Sequence, residues 1–135
     1  DDKKLSYPFC RKFIDPHFVG DKTSTRPYLI RYSDIALTYA EAAGPTDKAY
    51  QLVNYIRSRS GLGDLQPNLS LEQFREAVLN ERKFELAFEG NWCYDLRRWN
   101  RLHTDIESAK NQGLTADVMV FYPLPSIETD LNPNL

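Results

Sequence analysis

The sequence predicts an all-α fold: helical hairpins in series over residues 33–104, with an extended lead-in (1–32) and an irregular tail (105–135). Three observations carry this. Apolar residues recur at helical spacing in stretches opened by capping residues and closed by glycine. The linker between the first two helices is short, so they fold back antiparallel. The lead-in carries Pro8, Pro16 and Pro27 among scattered aromatics with no helical period. Hairpins with apolar residues on more than one side stack as solenoid repeats do, although no internal self-similarity is visible.

The first helix is expected from Ser33 to Ala43, capped by Ser33 or Asp34 and stopped by Gly44-Pro45. Ile35, Tyr39 and Ala42 fall on one face; Ala36, Ala40 and Ala43 form a small-residue seam that lets a neighbouring helix approach closely. The second runs over residues 46–60, capped by Thr46 or Asp47 and closed by Gly61. Ala49, Leu52, Val53 and Ile56 make its apolar stripe. The third is the longest, 71–89, with a Ser70/Gln73 capping box and Gly90 at its end. Asn68-Leu69-Ser70 is also a glycosylation sequon, but its place before a helix favours capping. A fourth helix is expected over 95–104, with Leu96, Trp99 and His103 in register. In the tail, "VMVFYPLP" reads as an extended segment broken by prolines, and "SIETDLNPNL" as a turn and a tail.

Composition excludes several classes. A net charge of −2 over 135 residues gives no electrostatic footprint for nucleic acid. No apolar run approaches membrane-spanning length, and "DDKKLSYPFC" has no signal-peptide apolar region. The abrupt start suggests a piece of something longer. Cys10 and Cys93 are expected to be packed thiols.

The densest chemistry is "NERKFELAFEGNWCYDLRRWN", residues 80–100. On a wheel of about 100° per residue, Phe74, Val78, Glu81, Glu85 and Phe88 share one face, with Glu81 and Glu85 near its middle. Lys83, Glu76 and Glu72 fall opposite, towards solvent. A carboxylate inside an apolar stripe is costly unless paired, and two acids one turn apart repel. The helix therefore needs cations. Arg31, Arg57, Arg59, Arg97 and Arg98 are the candidates, since a guanidinium pairs bidentately and stays charged when buried.

A glycosidase would also use two carboxylates, and i, i+4 side chains lie about 5–6 Å apart at Cβ. Yet both acids leave one helix in the same direction, beside a bond and not across it. Nearby arginines would also keep both ionised, removing the proton donor. The ionic lock is the preferred reading. His17 and His103 have no metal-ligand spacing, and no phosphate loop, nucleophile elbow or cofactor motif is present. Trp92, Tyr94 and Trp99 are candidates for stacking on sugar rings, although their helical placement favours core packing.

"RYSDIALTYAEAAG", "VNYIRSRSGL", "NERKFELAFEGNWCYDLRRWN" and "FYPLPSIETDLNPNL", in that order, resemble the C-terminal half of the SusD/RagB family. The resemblance covers about residues 7–135 and implies a tetratricopeptide-like α-α superhelix. It further implies a lipid-anchored protein at the outer-membrane surface of Bacteroidetes-type bacteria. Such proteins bind glycans or other nutrients without hydrolysing them and work with a SusC-like TonB-dependent transporter. Cys10 lacks a lipobox, so it is not the lipid-bearing cysteine, and the chain would be a C-terminal portion. Asn91, Trp92 and Cys93 depart from the family's usual His-Arg-aromatic run. The shared motifs are scaffold, so the resemblance transfers no ligand-binding residue. A helical-repeat scaffold for protein partners, and a glycoside hydrolase using Glu81 and Glu85, are the rival functions.

Overall fold

The computed structural model describes residues 10–113, 115 and 125–132. The helices are α1 (Tyr32–Ala43), α2 (Asp47–Arg59), α3 (Leu71–Glu85), α4 (Asn91–Arg98), α5 (Leu102–Asp105), α6 (Glu107–Asn111) and α7 (Ser126–Leu131). Among the described residues there is no strand, only an isolated antiparallel bridge between Val19 and Lys22. The fold is all-α, as the sequence predicts. The chain divides into two compact units, Asp1–Asn91 and Trp92–Leu135.

In the first unit, α1 packs against both α2 and α3. The core joins Ala36, Leu37 and Ala40 of α1, Ala49, Val53 and Ile56 of α2, and Phe74 and Val78 of α3. The small-residue seam of α1 is therefore its inward face, completed by Leu37. Ile35 and Tyr39, expected to share a packed face, are exposed. The alanines admit neighbouring backbones more closely than those larger side chains would.

The helix ends follow local chemistry. Thr46 caps α2 by accepting from the Ala49 N–H at 3.3 Å. At its other end, Gly61 (φ 71°) donates to Ser58 O and Leu62 to Arg57 O, a Schellman closure. The Ser70/Gln73 capping box is formed in both directions. The N-terminus of α1 differs from expectation: Arg31 holds the N-cap position without a side-chain cap, and Ser33 is buried inside the helix.

Gly44 ends α1 at φ 69°, ψ −161°. This region is essentially reserved for glycine, and a Cβ there would lie 2.9 Å from Leu71 Cδ1. Gly44→Ala is expected to lower unfolding stability by about 1–3 kcal/mol, read from a urea titration. An unchanged midpoint would show that the turn relaxes freely.

Three boundaries depart from the sequence reading. α3 stops at Glu85 rather than 89, and turns fill 86–90 with Phe88 at φ 66°. α4 starts at Asn91, not 95, and ends at Arg98. Asn100 (φ 53°) supplies a second Schellman closure there, its N–H on Arg97 O at 2.9 Å and that of Arg101 on Leu96 O at 2.7 Å. Asparagine tolerates this left-handed position better than most residues, so the expected single helix becomes α4 and α5. The tail is also more regular than expected: α6 lies within it, and the "SIETDL" read as a turn is helix α7. The "VMVF" and "YPL" portion of the expected extended segment lies outside the described residues.

Candidate functional site

The first unit gathers the acidic stripe of α3 against cations from the lead-in and from α2. Glu81, one turn beyond Val78, is buried; its Oε2 accepts from Arg57 Nη1 at 2.9 Å. The same guanidinium donates from Nε to Gly63 O at 2.8 Å, tying the α2–α3 loop to the pair. Glu85 Oε1 accepts from Arg31 Nη1 at 2.6 Å and from Arg59 Nη2 at 2.5 Å. Glu89, whose side chain is only 3% exposed, takes a parallel fork from Arg31. Nε meets its Oε2 at 2.7 Å and Nη2 its Oε1 at 2.8 Å. Lys12 closes the other side of Glu89 at 2.6 Å.

This cluster also explains where α3 ends. The last carbonyls of a helix have no intrahelical donor. Lys12 Nζ donates to Glu85 O at 2.6 Å and Ala87 O at 2.9 Å, and Arg31 Nη2 donates to Glu85 O as well. Two cations therefore cap the negative end of the α3 dipole. The chain leaves the helix there, and Glu89 swings back onto the same two cations. Phe88, expected on the packed stripe, is carried outward and is 75% exposed.

A second pair lies on the α1 side. Arg82, 6% exposed, reaches Asp34 Oδ1 at 2.9 Å and Thr38 Oγ1 at 3.0 Å. Reading the sequence missed Arg82, Glu89 and Lys12 as partners. For Arg82 the signal was available: it stands four residues after Val78 and eight after Phe74, on the ridge that α3 buries.

The lead-in has its own organising acid. Asp15 accepts from the Ser24 N–H at 2.6 Å, the His17 N–H at 2.9 Å and the Thr23 hydroxyl at 2.8 Å. These donors draw its carboxyl down to about 2, against an ordinary 3.8.

Burial alone would raise the carboxyls of Glu85 and Glu89. Hydrogen bonds and charge from Arg31 outweigh it, with Ser33 and Arg59 helping at Glu85 and Lys12 at Glu89, and both stay below the ordinary 4.5. The Glu89 hydrogen bond in turn pushes the Arg31 guanidinium above its usual range. Because the folded values are depressed, this stabilisation is complete above the ordinary carboxylate pKa and is lost as pH falls through the folded values. The urea midpoint is expected to hold between about pH 6 and 7 and to fall progressively below about 4.5. The Glu85→Gln, Glu89→Gln double variant should flatten that fall. An equally steep fall in the variant would place the acid sensitivity elsewhere.

A cleft of about 370 Å³ opens over the cluster, lined by Lys12, Tyr28, Arg31, Tyr32, Arg59 and the two acids among others. Its carboxylates are ionised and hydrogen-bonded to cations. They offer no proton to a leaving group, which glycoside hydrolysis requires.

Arg97 and Arg98, also expected as partners, belong to the second unit, where Arg98 donates to Asp95 at 3.0 Å within α4. Trp92 and Trp99 are half-buried, Trp99 next to the Asn100 turn, and Tyr94 is 63% exposed on α4. Both cysteines are free; Cys10 is half-buried, but Cys93 is exposed and not packed as expected. Among the described residues no group of His, Cys, Asp or Glu is placed to hold a metal ion.

Residues 1–118 match the model of the SusD family. The chain belongs to the SusD family. SusD-like protein P25 of Formosa agariphila is 32% identical over 149 aligned residues, covering 97% of this chain and 28% of that protein. SusD-like protein P2 of the same organism is 30% identical over 133, covering 86% and 26%. The chain thus spans little more than a quarter of the length of these SusD relatives. Among solved structures, a SusD homologue from Bacteroides thetaiotaomicron superposes with a TM-score of 0.71 at 29% identity, covering 87% of this chain and 28% of that one.

Proposed function

We propose that this chain is part of a non-catalytic protein that binds glycans or other nutrients at the bacterial outer-membrane surface. It hands them to a SusC-like TonB-dependent transporter, and a lipid anchor on the intact protein holds it at the cell surface. The observation that carries this reading is the SusD family match across residues 1–118. The state of the acids in and just after α3 supports the non-catalytic part, since Glu81, Glu85 and Glu89 each face a cation within 2.9 Å. Among the described residues no helix is long and apolar enough to cross a membrane.

The test has two arms. Co-expressed with a SusC-like TonB-dependent transporter from the same organism, the intact protein should co-purify as a stable complex. Incubated with oligosaccharides in a calorimeter, it should bind at least one class without releasing new reducing ends. Steady release of reducing ends would overturn the non-catalytic assignment, and absence of the complex would overturn the delivery role.

A further inference from the structure

A second cleft lies away from the carboxylate cluster, on the outer side of α2. Asp47, Tyr50, Gln51 and Asn54 stand at i, i+3, i+4 and i+7, so they form one polar stripe along the helix. It is distinct from the apolar stripe that α2 buries at Ala49, Val53 and Ile56. The loop joining α2 to α3 runs beside it, and the two line an open groove of about 810 Å³, within the range of small-molecule sites.

The loop is fixed to the stripe by side chains. Asn54 Oδ1 accepts from the Leu65 N–H at 3.0 Å, and the Tyr50 hydroxyl accepts from the Leu69 N–H at 3.0 Å. Tyr50 is itself held by Phe74, ring centroids 4.8 Å apart. Between the two pins Asn68 sits at φ 60°, a conformation that non-glycine residues seldom adopt. The walls are therefore set before any ligand arrives, which lowers the ordering cost of binding.

The chemistry left facing the cleft is specific. Asn54 uses its carbonyl on the loop and keeps its NH₂ as donor. Tyr50 accepts from the loop and keeps its O–H proton. Gln51 and Asn68 add amides, and Asp47 and Asp64 add acceptors. Pro45, Pro67 and Leu65 supply apolar surface. No lysine, arginine or histidine is among the lining residues. Alternating donors and acceptors over an apolar wall suit a ring bearing several hydroxyls, and the two carboxylates repel an anion.

We infer that the α2–loop cleft is a binding site for an uncharged saccharide, which rests on the nutrient-binding reading above and assigns it a place and a ligand class. Gln51 and Asp64 contact the ligand; Tyr50 and Asn54 hold the site's shape and contribute their remaining donors.

The experiment is calorimetric titration of the intact protein with four hexasaccharide probes: maltohexaose, cellohexaose, an oligogalacturonate as the anionic arm and a chitosan oligomer as the cationic arm. At least one neutral probe should bind. Gln51→Ala and Asp64→Ala, which leave both loop pins in place, should each weaken it roughly tenfold, the effect of losing one well-placed hydrogen bond to a polar ligand. Glu72→Ala, outside the cleft, should leave it unchanged. Side-chain NH₂ signals of Gln51, Asn54 and Asn68 should shift on titration. Neutral binding unaffected by both cleft variants would overturn the site while leaving the nutrient-binding reading intact. Binding of only the anionic or only the cationic probe would overturn the ligand class. Binding of none of the four would overturn the saccharide assignment of the cleft, while the nutrient-binding reading is decided by the wider oligosaccharide survey and the transporter complex.

Discussion

Truncating Arg31 to alanine is expected to lower the unfolding free energy by up to about 3–5 kcal/mol, the range for breaking a buried, hydrogen-bonded charge pair from one side; the guanidinium here is part-buried, its side chain 20% exposed. Arg31 forks onto Glu89, pairs with Glu85 and caps the Glu85 carbonyl. Among the described cations, its removal leaves those two carboxylates against Lys12 and Arg59, and one helix-terminal carbonyl with one donor fewer. Most domains have about 5–15 kcal/mol in total, so the variant would sit near the edge of folding. Arg31→Lys separates the contributions. It keeps the charge but not the planar fork, and should lose about 1.5–3 kcal/mol, the range for hydrogen bonds to charged groups. The measurement is equilibrium urea unfolding at neutral pH. A loss in Arg31→Ala below about 1 kcal/mol would give the pair the weight of an ordinary surface bridge.

The second large effect is at Phe74. It is fully buried in the core shared by α1, α2 and α3, and Tyr50 packs on it. Phe74→Ala is expected to cost about 3–5 kcal/mol through lost burial and the cavity left behind. Its reach extends further, because the Tyr50 hydroxyl pins Leu69. Amide exchange at Leu69 should therefore accelerate in Phe74→Ala more than exchange at Leu65, whose pin comes from Asn54. Equal acceleration at both would mean the loop responds only to global stability.

These two residues mark how far the sequence can be read. Phe74 lies on a regular apolar stripe introduced by a capping box, and its burial follows from spacing alone. The starts of α2 and α3, and the glycine stops at Gly44 and Gly61, are legible for the same reason: each is decided by neighbouring residues. Arg31 was identifiable as a partner by type, because an acidic stripe within an apolar face requires cations. What spacing could not give was the end of α3. "FELAFEG" continues the helical period to Gly90, yet the helix stops at Glu85, where Lys12 and Arg31 take its carbonyls. Those donors lie 73 and 54 residues away from Glu85 in the chain, so no local signal marks the boundary. Glu89 was placed on the helix by the same period and so was not seen as the acid that takes the two-point fork from Arg31. The polar stripe of α2 was visible as residue types but unremarkable. Only the folded loop turns Asp47, Tyr50, Gln51 and Asn54 into the wall of a cleft.

The central claim is that the acids near the end of α3 hold the fold together. A double-mutant cycle on Arg31 and Glu89 tests it most directly: urea unfolding of the wild type, Arg31→Ala, Glu89→Ala and the double variant. The fork predicts a coupling of about 1–3 kcal/mol, the double variant losing less than the two single losses combined. Additive losses, with a coupling below about 0.3 kcal/mol, would show that the two side chains do not act as a pair and would contradict the account.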